Sequence, residues 1–277
     1  MIALACERPS DRGRPLSRYS AFEIVREAIA QGLLPMISPT TVLRWLRDLA
    51  IKPWHFRSWI SVRDPEFEAK AGRVLDLYAR TWDGEPLGRD DFVISLDEKT
   101  SIQARGRRES TRPPAPGQVI HLEFDYKRGG AVAYMAALDV FSATVMGEVV
   151  ARTGIAPCRA LVSKIMSQEP YRSARRVFFI VDNGSSHRPS TFGAWLTATF
   201  PNAVAVHTPI HASWLNQIEI YFSILQRKAL TPNDLKTRND VISRILKFQQ
   251  KFNEEADPFK WRFTREDMIR WLQKSAA

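Results

Sequence analysis

The sequence predicts an α/β fold, a mixed sheet with helices on its faces, preceded by a small all-α domain. Two observations carry this. From residue 91 onward, apolar runs of strand length give way to helix-length runs, in the order strand, strand, strand, helix, strand, helix, strand, helix. Ahead of them, between Ser20 and Leu49, two short helix signals follow one another with their own start and stop residues. The chain has 277 residues, 44% of them apolar, with 8 Trp, enough for one large core and a small one.

The first helix opens on Ser20-Ala21-Phe22-Glu23, a capping box, and Phe22, Ile24, Val25 and Ile29 give it an apolar side. Gly32 ends it. Ser38-Pro39 starts the second, with a cap hydroxyl and Pro at the first position, followed by Thr40 to Leu46. Two such helices make a helix-turn-helix candidate, with Thr40, Thr41 and Arg44 early on a recognition helix where side chains reach base edges. An ordinary helical hairpin fits the spacing equally well. The nearby Arg47, Lys52 and Arg57 tip the reading toward DNA, and the basic, aromatic run Lys52 to Trp59 fits either a phosphate backbone or a domain contact. This domain spans residues 1–62.

Residues 63–90 read as a connecting helix (64–81) and a loop (82–88). The large domain, residues 91–232, opens with an apolar strand ending at Leu96 and a basic loop through Arg105, Arg107, Arg108 and Arg112. Strand-like runs follow at 118–124, 131–138 and 143–150, the first two separated by a turn at 126–130. A helix is expected at 157–167, a buried strand at 176–181, a helix from Pro189 to Phe200, a strand at 203–207 and a helix from Ala212 to Leu230. Two amphipathic helices, 238–252 and 265–272, close residues 233–277.

The net charge of +10 and an isoelectric point near 9.8 make a polyanion, and nucleic acid first, the expected partner. Two cysteines, Cys6 and Cys158, form neither a disulfide framework nor a zinc motif, which suits a reducing compartment. No apolar run reaches about 18 residues and the start lacks a signal-peptide pattern, so a cytoplasmic protein without a membrane partner is expected.

Three carboxylates stand out by where they fall. Asp97 and Asp182 each come one step after an apolar strand, and Glu219 lies early in a helix whose apolar side is Trp214, Leu215, Ile218, Phe222 and Leu225. Any one of them alone reads equally as a solvated or capping residue. Together they suggest a divalent-metal site, because a pair of Mg²⁺ ions about 4 Å apart needs rigidly placed oxygen ligands. Strand neighbours point to opposite faces, so only one of Asp97 and Glu98 faces that site, and Asp97 is the choice. Glu98 or Lys99 then binds nearby phosphate or pairs locally. His187 reads as a phosphate donor, an orienter of Asp182 or a structural hydrogen-bonder, Asn183 as a turn residue, and Asn216 and Gln217 as DNA or carboxylate contacts with capping as the alternative for Asn216. His211 lies close enough in sequence to approach the same cleft. Asp125 and Asp139 are read as turn residues.

Leu96-Asp97-Glu98-Lys99-Thr100, Val181-Asp182-Asn183-Gly184-Ser185-Ser186-His187 and His207 to Glu219 resemble the three catalytic blocks of DDE transposases. They are similar in particular to those of the IS630 group of bacterial insertion sequences, related to Tc1/mariner elements. The resemblance implies an RNase H-like domain with a mixed five-stranded sheet and flanking helices. It implies an acidic triad on Asp97, Asp182 and Glu219, holding two Mg²⁺ or Mn²⁺ ions. It also implies cleavage at terminal inverted repeats and transfer of the 3′-hydroxyl into target DNA at TA, without a covalent protein–DNA intermediate. A homodimer assembled on double-stranded DNA in the bacterial cytoplasm goes with it, and Lys99, Arg105, Arg107 and Arg108 would supply phosphate contacts. Relatives usually carry another helix-turn-helix in front, so Ile2 to Cys6 reads as the stump of a lost helix. A DNA-binding remnant without transposition activity and an RNase H-like nuclease are the alternatives.

Overall fold

A computed structural model describes residues 1–55 and 62–276, and they fall into two compact units, Met1–Ser61 and Val62–Ala277. The first contains helices α1 (Ile2–Cys6), α2 (Ala21–Ala30) and α3 (Pro39–Asp48). Ser20 and Glu23 form the expected capping box, and the Ser38 hydroxyl accepts the Thr41 amide at 3.1 Å. Leu4, Ala5, Tyr19, Ile24, Ala28, Val42 and Leu46 make its core. The buried side of α2 is therefore Ala21, Ile24 and Ala28; Phe22, expected on it, is 70% exposed, and Ile29 is exposed as well. Ala21, Ile24 and Ala28, three and four residues apart, share one face of the helix, and Phe22 and Ile29 fall outside it. The connection between α2 and α3, residues 31–38, is longer than the about 3–4-residue turn of a tight helix-turn-helix.

The second unit starts with α4 (Phe67–Tyr78) and a short hairpin, β1 (Thr81–Trp82) with β2 (Glu85–Pro86). Then come β3 (Asp91–Gly106), β4 (Lys127–Asp139), β5 (Val145–Val150), α5 (Ile155–Met166), β6 (Arg176–Val181), α6 (Pro189–Thr199) and β7 (Ala203–His207). Helices α7 (Ile218–Lys228), α8 (Arg238–Glu254) and α9 (Arg265–Ala276) complete it. The sheet order is β5-β4-β3-β6-β7, antiparallel from β5 to β3 and parallel from β3 to β7, so the mixed five-stranded sheet with flanking helices is the one expected.

Alternation along the strands sends two sets of side chains to two cores. Ile94, Leu96, Val177, Phe179 and Val181 meet Cys158, Leu161 and Val162 of α5 and Phe192 and Leu196 of α6. On the other face Val93, Phe178 and Ile180 pack with α4 and Met268 of α9, while Tyr134, Ala136 and Leu138 pack with α7 and α8. Residues 64–81, read as a connecting helix, form one over Phe67–Tyr78, which contributes Phe67, Ala71, Val74 and Leu75 to the core of this unit.

Four local expectations are corrected. β3 does not stop at Leu96 but runs to Gly106, because β4 pairs with it all the way to Lys127, across a bulge at which Ser101 takes φ 56°. The turn expected at 126–130 is the start of β4, where Gly129 and Gly130 let the strand pass close to Lys236 and Arg238. Residues 118–124 form no strand and make only isolated bridges, Arg112 with His121 and Ala115 with Gln118. The helix expected from Ala212 is broken, a single turn at Ser213–Leu215 preceding α7, and the exposed Trp214 does not join its buried stripe of Ile218, Tyr221, Phe222 and Leu225.

Candidate active site

Asp182 follows directly on the last residue of β6, Val181. The parallel register of β3 on β6 ends at Ser95 opposite Ile180, and carried two residues further it sets Asp97 level with Asp182. By alternation both lie on the α4 and α7 side of the sheet. Glu219 is the second residue of α7, the helix that packs on that side. Tyr78 holds the approach to α7, donating its hydroxyl to the Leu215 carbonyl at 2.6 Å and accepting the Gln217 amide at 3.3 Å. Asn216, fully buried, donates its side-chain amide to the Leu96 carbonyl at 3.0 Å, and so ties the segment before Glu219 to the strand that carries Asp97. That is the use of Asn216 here; its side chain does not cap α7.

Asp97 and Glu219 both feel the charge of Asp182. Asp97 is only 6% exposed, and burial together with the Asp182 charge pushes its carboxyl up to about 7. Glu219 is also raised, by burial first, with the Lys99 cation opposing and Asp182 adding to the rise. Asp182 goes the other way: the His187 hydrogen bond holds it below the usual carboxylate range. Among the described residues the group whose ligand atoms all lie within 4.8 Å of one another is Asp97, Glu98 and His187, and Asp97, Asp182 and Glu219 do not form a group that close; buried carboxylate oxygens are nonetheless the ligands that hard divalent cations take. Asp182 also borders a cleft of about 330 Å³ with Asn183, Gly184, Thr208, Pro209, Ile210, His211 and Ser213.

The supporting residues sort by partner. Asn183 donates its side-chain amide to the Thr208 carbonyl at 2.7 Å, pinning the loop after β6 to the end of β7. His211 is exposed at the cleft in a left-handed conformation, φ 62°. Gln217 is buried, and its side-chain oxygen has no hydrogen-bond partner. His187 is fully buried, with Nδ1 3.2 Å from Asp182 Oδ1 and Nε2 3.6 Å from Glu98 Oε2. Burial opposes its charge, yet Asp182, Cys158 and Glu98 prevail and lift its pKa to about 10.

Glu98 is where strand alternation misleads. It leaves β3 on the opposite face from Asp97, as expected, but one oxygen each of Asp97, Glu98 and one nitrogen of His187 lie within 4.8 Å of one another. On the β6 side of β3 the strand pairing has already ended at this level, and the loop 182–187 that follows β6 brings Ser186 and His187 to Glu98. Ser186, which sequence reasoning passed over, is buried there and donates to Glu98 Oε1 at 3.2 Å. Tyr78, a tyrosine on a helix far upstream, carries no sequence signal for its role here. Asp139 is a turn residue, its Oδ1 accepting the Phe141 and Ser142 amides at 3.0 and 3.2 Å.

The cationic and hydroxyl positions read as DNA contacts are spread over both units. In the first, Thr40, Arg44 and Arg47 are exposed on α3 and Lys52 is exposed beyond it. Thr41 turns its hydroxyl to Ser38 Oγ at 2.9 Å and serves the cap. Arg57 lies outside the described residues. In the second, Lys99 is half-buried near Glu219, and Arg105 is half-buried with its guanidinium over the Tyr126 ring at 4.8 Å. Arg107 is only 9% exposed and spends its guanidinium on the carbonyls of Asn233, Glu123, Phe124 and Asp125, so it staples the 107–126 excursion rather than offering a free charge. Arg108 is exposed and lines an open groove of about 750 Å³ with Lys127, Arg128 and Lys236.

The family model for DDE superfamily endonucleases matches residues 93–242, the span that contains all three carboxylates. No curated protein matches the chain. Solved structures that resemble it include the Mos1 mariner paired-end complex with Mn, at 16% identity and a TM-score of 0.56 over 93% of this chain and 74% of that one. The Mos1 strand transfer complex aligns at 15% identity and 0.55 over 93% and 73%, and a pre-cleavage Mos1 transpososome at 15% and 0.54 over 95% and 80%. At these identities the likeness shows the fold.

Proposed function

Because the chain belongs to the DDE superfamily of endonucleases, we propose that it is a divalent-metal-dependent transposase of the IS630/Tc1/mariner kind. It would cleave DNA at the terminal inverted repeats of its element and join the freed 3′-hydroxyl to target DNA at TA. The observation that carries this is the levelling of Asp97 on β3 with Asp182 just past the end of the parallel strand β6, with Glu219 approaching from α7 on the same face.

The residues suit divalent cations, which we take to be two Mg²⁺ or Mn²⁺ ions: burial first, and then the Asp182 charge, raises Asp97, and a cation beside it would let it ionise fully. Asp97, Asp182 and Glu219 would hold the ions, Asp182 with its geometry set by His187 and Glu219 with its turn fixed by Asn216 and Tyr78. Bound there, the metal supplies Lewis-acid stabilisation of attacking and leaving phosphate oxygens and a water of lowered pKa. Lys99, beside Glu219, adds positive charge toward the scissile phosphate. Exposed Arg44, Arg47 and Lys52 of the first unit would read and hold the element ends, and Arg108 with its neighbours in the groove would track phosphates. In keeping with this, the similar Mos1 structures are paired-end and strand transfer complexes, one paired-end complex with Mn and another with Mg. We also infer a homodimer on DNA and action in the bacterial cytoplasm; among the described residues no helix is long and apolar enough to cross a membrane.

The test is incubation of the full chain with a plasmid carrying the DNA that flanks its reading frame, in Mg²⁺ or Mn²⁺. Excised ends joined to a second plasmid at TA support the proposal. Cleaved but unjoined DNA makes the protein a nuclease instead, and binding without cleavage makes it a DNA-binding remnant.

A further inference from the structure

We propose that His187 and Glu98 are positioning residues of this site, a buried latch that holds Asp182 at its spacing from Asp97. The proposal rests on the reading of Asp97 and Asp182 as metal ligands. Asp182 sits on a loop, and a loop carboxylate beside a buried one of like charge would swing away unless something held it. Its backbone turn is tight: the Gly184 amide donates to Asp182 Oδ1 at 2.7 Å, and a Cβ at Gly184 would come within 2.8 Å of the same oxygen. The chain then returns to bury His187, whose amide donates to the Gly184 carbonyl at 3.0 Å and whose ring stands edge-on to Phe192 at 5.8 Å. His207, the last residue of β7, donates its Nε2 to the His187 carbonyl at 2.8 Å, anchoring the loop a second time.

With backbone and ring both fixed, Nδ1 aims at Asp182 and Nε2 at Glu98. Glu98 Oε2 and His187 Nε2 are buried and make no hydrogen bond, but they face each other at 3.6 Å, within ion-pair reach. Glu98 Oε1 is occupied by the Ser186 hydroxyl. Both oxygens of Glu98 are thereby committed to the loop, and Glu98 itself belongs to β3, the strand that carries Asp97. The imidazole thus transmits the rigid position of β3 to Asp182, as hydrogen-bonded outer residues do for metal ligands in general.

The test is Mn²⁺ binding to the full chain, read from the electron paramagnetic resonance signal of free Mn²⁺, with thermal melts by circular dichroism alongside. His187→Gln and Glu98→Ala should each weaken Mn²⁺ binding by roughly 10–100-fold, the range for loss of such outer partners. Glu98→Gln should recover most of that loss, because it keeps the shape of the side chain and a polar oxygen facing the ring, and Ser186 both donates and accepts. Unchanged Mn²⁺ affinity in folded His187→Gln and Glu98→Ala overturns the latch. Glu98→Gln binding as poorly as Asp182→Asn also overturns it, since Glu98 would then be a ligand. So does loss of binding in His187→Gln that exceeds the loss in Asp182→Asn, which would make the ring a ligand. Ser186→Ala removes only a hydroxyl and carries the same test, with a smaller loss expected, should the larger substitutions not fold. Full Mn²⁺ affinity in Asp97→Asn and Asp182→Asn would instead sink the metal-site reading itself, and so separates the two failures.

Discussion

Asn216 donates its side-chain amide to the Leu96 carbonyl at 3.0 Å, so the residue three before Glu219 is bonded to the residue one before Asp97. The backbone segments that carry two acidic residues far apart in sequence are thereby tied together by one buried amide.

Replacing Asn216 with Ala removes that tie and opens space in a fully buried spot. The expected cost is about 1–3 kcal/mol of unfolding free energy, measured by urea denaturation, together with a loss of metal-dependent cleavage that exceeds the loss of DNA binding. Equal losses in the two would mean that Asn216 serves the fold alone.

Asp91 gives a pH prediction. Its side chain is fully buried and accepts from Arg175, Arg176 and the Gly88 amide. Burial raises its carboxyl, but the two guanidinium groups and the amide outweigh this and hold it well below the usual range. A depressed folded pKa stabilises above the unfolded value of about 3.9 and is lost as pH falls through the folded one. Asp91→Asn should therefore cost about 2 kcal/mol at neutral pH, and the gap to the unmodified protein should narrow below about pH 4. Denaturant midpoints across pH check this; a gap that widens in acid would contradict it.

Arg44 is exposed on α3. If α3 reads bases, Arg44→Ala should weaken binding to the element ends by about 1–3 kcal/mol and relax specificity while leaving binding to unrelated DNA nearly unchanged. Competition assays at fixed salt decide it. Uniform weakening on all sequences, with a shallower salt dependence, would make Arg44 a phosphate contact.

Gly129 lets β4 cross the 235–238 segment, and a Cβ there would run into the Lys236 carbonyl, a backbone atom that cannot step aside. Gly129→Ala should cost about 1–3 kcal/mol and disturb the basic groove that Gly129 and Lys236 line. A melting temperature equal to that of the unmodified chain would show that the two segments part easily.

The sheet was legible in the sequence because its strands are short apolar runs bounded by turn residues, and the buried runs 92–96 and 176–181 fall where β3 and β6 lie. The length of β3 was not, because beyond Asp97 its residues are polar and only pairing with β4 keeps them extended. Gly129 and Gly130 signalled a turn by composition, whereas here they serve a close crossing inside a strand. Around the site, the placement of Asp182 after an apolar strand could be read from local pattern. The approach of Glu98 to His187 could not, since it depends on where a neighbouring strand ends. Arg107 shows the same limit from another side: a run of arginines reads as a phosphate surface, and only tertiary contact reveals that this one is buried against four carbonyls.

The most direct measurement is Mg²⁺-dependent strand cleavage of the flanking DNA by the full chain and by Asp182→Asn, with DNA affinity measured on the same preparations. The account predicts that the substitution abolishes cleavage and leaves DNA binding within about threefold, since it removes one charge from a metal ligand set and nothing from the DNA-binding surface. Cleavage retained in Asp182→Asn would contradict the assignment of this carboxylate cluster as the catalytic centre.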